Sequence, residues 1–276
     1  MPLSVIALIA LSGCIHVGWN LLLKGATARN VSTWLAVCLP GLVSLPFVWQ
    51  ESTQHLWLIA GGSAIFQAAY YLLLAYGYEH YDLGVLYPIA RGVAPLLSTI
   101  WAMVLLAERP NVYGIGAVLL ITSGTIWIGL RNRKPGERAT VPWLPLLVAL
   151  VISGYTIVDA YGTRVSSPVV YYSVCMTCTG VAMFPYIWWQ TPQLRKSIVA
   201  EAPRAVLIGI GSYASYLIVL SCYAIAPVSY VAAAREMSII IAGVVGWLWL
   251  KESFGATRLI GASAVAAGVI LLVLFG

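Results

Sequence analysis

The chain of 276 residues is 61% hydrophobic and only 9% charged, so every charge inside an apolar run is a candidate for chemistry. Arg91 and Arg235 come first. Each stands about nine residues into such a run, about 13 Å along a helix that rises 1.5 Å per residue. If these runs cross a bilayer, both guanidiniums lie near its middle. An arginine there costs roughly 2.5–3.5 kcal/mol and normally faces a bundle interior or an aqueous cavity. Two such cations can attract a small anionic or zwitterionic solute. They can equally lock helices together, satisfied by backbone carbonyls or by an acid such as the adjacent Glu236. A carboxylate at that depth beside an arginine can exchange a proton or release its partner when a solute arrives, which makes Glu236 a proton-coupling candidate.

The segment Tyr87-Pro-Ile-Ala-Arg-Gly-Val-Ala-Pro95 surrounds Arg91 with two prolines and a glycine. Pro88 cannot donate to the carbonyl of Gly84, nor Pro95 to that of Arg91, so the helix is expected to kink or break there. Pro88, Gly92 and Pro95 are therefore candidate gating residues. The positions equivalent to the prolines around Arg235 hold Ala232 and Ile239, which predicts a straighter helix. In the first run His16, Trp19, Asn20 and Leu23 share a helix face that Lys24 continues. Asn20 and Trp19 are candidate solute contacts, Asn20 equally a helix lock, and His16 a second proton-coupling candidate or a packing residue. Gln67, Tyr70, Tyr71 and Tyr78 form a polar aromatic strip in the third run, echoed by Tyr213, Tyr216 and Tyr223 in the eighth. With Tyr87, these side chains offer ring faces and hydroxyls to an organic solute, or simply pack. Asp159 reads as an interfacial residue near Arg164. Glu108 and Glu252 read as helix-terminating loop residues.

The elements that position these groups follow from the composition. Globular chains are roughly 25% charged, so this one lacks the polar surface a water-soluble particle needs, and a soluble enzyme is excluded. Apolar stretches run over 3–23, 32–49, 56–78, 82–106 and 111–130, then 142–162, 168–189, 204–225, 228–250 and 256–275. Ten spans of about 20 residues match a bilayer's thickness. The fold class is all-α integral membrane, with residues 131–140 as a basic linker between two sets of five helices. The first run lacks a basic leader and a small-residue cleavage site, so it is expected to stay as a helix. A formal charge of +6 belongs to membrane-flanking loops and headgroup contact rather than to nucleic acid. Cys175-x-x-Cys178 lacks the second Cys/His pair that a metal site needs, and neither a metal nor a cofactor is expected.

The two sets look like copies. A shift of 144 residues places Arg91 on Arg235, Glu108 on Glu252 and Gly124 on Gly268, and a shift of 145 places Tyr71 on Tyr216. A unit with an odd number of spans must enter the membrane in opposite directions when duplicated, which predicts two inverted five-helix repeats, 1–130 and 141–276. Lys and Arg gather at the odd-numbered connections, while the even-numbered ones carry only Arg109 and Arg164. The positive-inside rule then makes the odd connections cytoplasmic and turns both termini outward. Small residues from Gly114 to Gly116 and from Gly261 to Gly268 give the fifth and tenth helices faces for close contact, within the chain or in a homodimer.

This pattern resembles the drug/metabolite transporter superfamily, specifically its ten-helix EamA group. The resemblance rests on His16-Val-Gly-Trp-Asn-Leu-Leu-Leu-Lys24, on the Tyr87–Pro95 segment, on Leu105-Leu-Ala-Glu-Arg109 and on Leu248-Trp-Leu-Lys-Glu252. It implies a basket of two inverted EamA-like repeats with a pathway between them, in a multi-pass protein of the bacterial inner membrane. It also implies alternating access, commonly in export of amino acids or related metabolites, and no enzyme activity. On this reading Arg91 and Arg235 are two cationic poles in a midplane cavity for an amino acid, organic acid or phosphonate. A flippase for lipid-linked substrates shares the fold and is the alternative. A membrane-embedded enzyme lacks a clustered catalytic set, and a receptor without transport would fail a counterflow assay.

Overall fold

The computed structural model describes residues 1–80, 83–131, 143–250 and 255–276, with the side chains of residues 75, 78–80, 83–85, 246, 247, 249, 250 and 256 left aside. Tyr78, most of the 131–140 linker, and Glu252 with its neighbours thus fall outside the described side chains. In chain order the helices are α1 (Leu3–Lys24), α2 (Arg29–Val48), α3 (Gln54–His80), α4 (Leu83–Leu105), α5 (Val112–Arg131), α6 (Trp143–Val165), α7 (Pro168–Gln190), α8 (Leu194–Tyr223), α9 (Val228–Ala234), α10 (Met237–Leu250) and α11 (Ala256–Phe275). Ten spans are long and apolar enough to cross a membrane, with α9 and α10 together forming the ninth. The protein is an integral, multi-pass membrane protein.

The observed ends fall near the predicted ones except in α8, which begins at Leu194 where hydropathy placed the run at residue 204. Arg195, Lys196, Glu201 and Arg204 interrupt the apolar pattern without interrupting the helix. Leu194 and Ala205 of this turn-in segment bury against Val31, Leu35 and Ile187, and apolar anchoring of this kind carries the helix past its charges.

Helix pairing has the exchange symmetry that two five-span units require. The pairs α1–α8 and α3–α6 correspond, as do α2–α8 and α3–α7, and α4–α6 with α1–α10. The pairs α2–α7, α5–α11 and α4–α9 map onto themselves. Small residues permit the α5–α11 pairing. A Cβ on Gly124 would sit 2.7 Å from the carbonyl oxygen of Gly261, and one on Gly261 the same distance from that of Gly124. The small faces that could have served two protomers are thus used inside one chain.

The helix bearing Arg91 and the one bearing Arg235 reverse the expected contrast. α4 stays helical from Leu83 to Leu105 across both Pro88 and Pro95. The break falls in the ninth span at Arg235 and Glu236, where no proline stands. There Glu236 N donates to Ala233 O at 3.0 Å, Ser238 N to Arg235 O at 3.1 Å and Ile239 N to Glu236 O at 3.0 Å, a tight i to i+3 turn between two α-helices. In α4 the helix packs closely on its neighbour: a Cβ on Gly92 would meet Ile126 and Thr125 of α5 at 2.9–3.2 Å. Neighbouring helices commonly let a membrane helix tolerate proline in this way.

Candidate functional site

Arg91 projects from the middle of α4 with Tyr87 one turn before it. Its Nη1 donates to the Tyr87 hydroxyl at 3.3 Å, and its guanidinium carbon lies 5.6 Å from that ring's centroid. The main partner comes from the break in the ninth span. Arg91 Nη2 and Nε donate to Glu236 Oε1 at 2.8 and 3.2 Å. The two side chains are only 11% and 4% exposed. At the tight turn of residues 235–236 Glu236 faces α4 while Arg235 faces Tyr216 and Tyr223. Glu236 Oε2, buried beside this pair, has no hydrogen-bond partner among the described residues. The acid that the sequence placed next to Arg235 therefore serves Arg91.

Arg235 sits in a different setting. Among the described residues no carboxylate lies within ion-pair distance of it. Its Nη1 donates to the Tyr223 hydroxyl at 3.4 Å, and its guanidinium carbon lies 5.0 Å from the centroid of Tyr216. An aromatic face can hold a cation without neutralising it. The charge is thus positioned without a carboxylate in direct contact among the described residues.

Beneath Tyr216 lies the most polar point of the core. Asp159 of α6 is completely buried, where the sequence predicted an interfacial residue near Arg164. Tyr216 donates to its Oδ2 at 2.5 Å, Tyr171 to its Oδ1 at 2.6 Å, Ser63 to Oδ1, and Gln67 to Oδ2 at 3.4 Å. Donors from α3, α7 and α8 thus converge on one carboxylate. Burial of such a group is tolerable only with this degree of satisfaction. Arg164 instead lies at its helix end, 3.7 Å from Glu108. Gln67 belongs to this knot, also donating to Cys175 Sγ at 3.3 Å. The predicted strip on α3 therefore divides.

Tyr70 and Tyr71 remain with the aromatic wall. Their centroids are 5.3 Å apart, and Tyr70 lies 6.1 Å from Tyr155. Tyr155 and Tyr172 flank Tyr216 at 6.3 and 5.2 Å, and Tyr172 stacks on Tyr213 at 4.8 Å. Tyr155, Tyr171 and Tyr172 were not picked out from the sequence, although Tyr155 and Asp159 stand one helical turn apart and share a face. The tyrosines at 70, 71, 87, 155, 213 and 216 are half-buried in the middle of the chain's helices.

On α1, His16 packs edge-on against Trp19 at 4.9 Å, and Trp19 Nε1 donates to Ser215 Oγ of α8 at 3.3 Å. The amide of Asn20 donates at 2.7 Å to the carbonyl of His16 in its own helix.

Two further acids organise the ends of the bundle. Ala107, at a φ of 55°, turns the chain sharply after α4. Glu108 then receives Val228 N at 2.6 Å, Ser229 N at 3.1 Å and Ser229 Oγ at 2.7 Å, capping α9 from another span. At another connection Glu201 of α8 receives Ala28 N at 2.9 Å, Thr27 N at 3.0 Å and Ser32 Oγ at 2.7 Å at the start of α2. This second cap was missed because α8 was not expected to reach Glu201.

Comparison with known proteins gives the fold, and a family match over the second half of the chain. Residues 140–274 match the EamA-like transporter family. A solved structure titled only "Crystal structure of protein" superposes with a TM-score of 0.74 at 15% sequence identity, covering 99% of this chain and 98% of that one. That likeness carries the fold alone. No curated protein matches the sequence. The family match and the ten membrane-length apolar helices fit a protein of the EamA type in the drug/metabolite transporter superfamily.

Proposed function

We propose that this chain is a secondary active transporter that moves a small anionic or zwitterionic metabolite, of the amino acid, organic acid or phosphonate class, by alternating access and in the direction of export. The observation that carries this reading is Arg235, a deep cation with tyrosine partners and no carboxylate within ion-pair distance among the described residues. A solute's oxyanion would complete it. Arg91 is half of an ion pair, so the two arginines differ in role: Arg235 anchors the solute, and Arg91 holds Glu236. The unpartnered Glu236 Oε2 offers an acceptor to a donor group such as an ammonium. That pairing favours a zwitterion. Tyr70, Tyr71, Tyr87 and Tyr216 shape the wall, and His16, Trp19 and Asn20 line it from α1. Glu236 also remains the group through which proton movement would be coupled, because a solute that competes for Arg91 would release it.

The ninth span supplies the moving element. Its break at Arg235 and Glu236 places the anchor and the ion pair on one joint, so exposure of Arg235 and release of Glu236 are mechanically linked. The basic odd-numbered connections would face the cytoplasm and both termini outward, in a bacterial inner membrane.

The test is flux into liposomes holding the purified protein, with radiolabelled amino acids, dicarboxylates and phosphonates as probes. For any cargo found, Arg235→Ala should lower the uptake efficiency about 10- to 100-fold, the equivalent of losing a charge-assisted contact of about 1.5–3 kcal/mol. Arg235→Lys should recover part of it. Parental rates in Arg235→Ala for every anionic and zwitterionic cargo would end the proposal.

A further inference from the structure

The even-numbered connections carry just two basic residues, Arg109 and Arg164, and the fold brings both to one cleft of about 440 Å³. Glu108, Tyr223, Pro227 and Tyr230 complete its principal walls. Three separate connections thus contribute, those after α4, α6 and α8. Glu108 adds a negative charge, but its oxygens are engaged by Val228, Ser229 and, at 3.7 Å, Arg164. Arg109 is exposed and has no carboxylate within ion-pair distance among the described residues. The cleft is therefore net positive on a face otherwise poor in cations. Among its lining residues is Tyr223, whose hydroxyl accepts from Arg235 at 3.4 Å. Tyr223 thus belongs both to the cleft lining and to the contacts of the half-buried Arg235, which stands seven residues past the start of α9, about 10 Å along the helix.

We propose that this cleft is a staging site for a free solute's oxyanion, a carboxylate, phosphonate or phosphate group, between bulk water and Arg235. It rests on the reading of Arg235 as the solute's anchor. The lining shares Tyr223 with that cation, which selects a dissolved solute over a lipid headgroup. Clefts with one sign of charge raise the local concentration of counter-ions about 10-fold or more. Here that enrichment would feed the anchor, and Tyr223 would relay occupancy by shifting its hydroxyl from Arg235.

The experiment labels a thiol in the cleft and needs no transport. In a Cys14→Ser background, Ala224→Cys places an exposed thiol in the cleft wall, and Thr53→Cys places one on the same face among residues without Lys or Arg. Purified protein in neutral detergent is reacted with an anionic sulfonatoethyl and a cationic trimethylammonioethyl methanethiosulfonate. The anionic-to-cationic rate ratio should be about 10-fold higher for Ala224→Cys than for Thr53→Cys. Adding Arg109→Gln should bring it down to the control value, and millimolar inorganic phosphate should slow the anionic reagent in the cleft alone. Equal ratios at the two positions, or a ratio indifferent to Arg109→Gln, would overturn the staging site. Protection by phosphatidylglycerol micelles but not by phosphate would overturn it too, assigning the cleft to lipid. Parental flux in Arg235→Ala with a high labelling ratio would sink the anchor and leave the cleft standing. The converse result would separate them the other way.

Discussion

Arg91 and Arg235 stand at equivalent positions of the two repeats and live in opposite electrostatic surroundings. Arg91 is matched to Glu236 by two short contacts and to Tyr87 by a third. Arg235 has two tyrosines and no counter-charge in contact among the described residues. Two deep cations stand in the fourth and ninth spans, and at the break in the ninth span the available carboxylate goes to the far one. The pairing also crosses the repeats, since α4 belongs to the first and Glu236 to the second. One arginine thus joins the halves while the other stays open to a ligand. A buried charge without its partner is costly, whereas a cation on aromatic faces beside a cleft retains access to water or solute.

The contrast is broken most forcefully by leaving Arg91 alone. Glu236→Ala should destabilise the protein by about 3–5 kcal/mol, because it strands a buried guanidinium. Thermal melting in detergent would read it as a large drop in midpoint. Arg91→Met combined with Glu236→Leu should recover most of the loss, since apolar replacement of a buried pair is often neutral or stabilising. A double variant as unstable as the single one would mean that the pair is not the cause. Arg235→Ala should behave oppositely, with flux collapsing and the melting midpoint nearly unchanged.

A second effect, smaller than these, concerns how Arg235 is held. Tyr216 has its ring against the cation and its hydroxyl on Asp159. Tyr216→Phe keeps the ring and removes one of four donors to Asp159, so about 1 kcal/mol of stability should be lost. Because the ring is then free to turn, KM for an anionic cargo should rise while the maximal rate holds. Asp159→Asn should cost more stability, about 1–3 kcal/mol, since an amide reproduces only half of the acceptor pattern. A KM unmoved in both variants would show that the Asp159 knot is packing and does not orient the anchor.

The sequence was informative wherever charge scarcity made each polar residue stand out. Ten spans, the duplication and the depth of Arg91, Arg235 and Glu236 all follow from where 24 charged side chains fall in 276 residues, Lys plus Arg being 15 and Asp plus Glu 9. Partnership was not legible. Glu236 is adjacent to Arg235 in sequence yet bonds Arg91, because side chains of consecutive helical residues point about 100° apart and a tight turn separates them further. Asp159 looked interfacial because only its distance from the end of the apolar run was visible. Its four donors come from α3, α7 and α8, and no local pattern announces a convergence of that kind.

Backbone continuity was the other failure, and it sets the smallest prediction. Pro88 and Pro95 marked α4 as the flexible copy, yet α4 runs through both, and Thr99 Oγ1 donates to the carbonyl of Pro95 at 2.8 Å. The ninth span breaks at Arg235 and Glu236 with no proline near. If the joint there is the gate, then Pro88→Ala and Pro95→Ala remove nothing that moves. Each would restore one backbone donor to a helix already formed, so stability should change by less than about 1 kcal/mol, and flux by less than about twofold. Lengthening the helix through the ninth-span joint should do more. Glu236→Gln keeps the size of the side chain and one acceptor for Arg91 but removes the negative charge, which predicts a slower cycle together with a lowered melting midpoint. A tenfold change in flux from either proline variant, with Glu236→Gln silent, would return the gate to α4 and reverse the comparison.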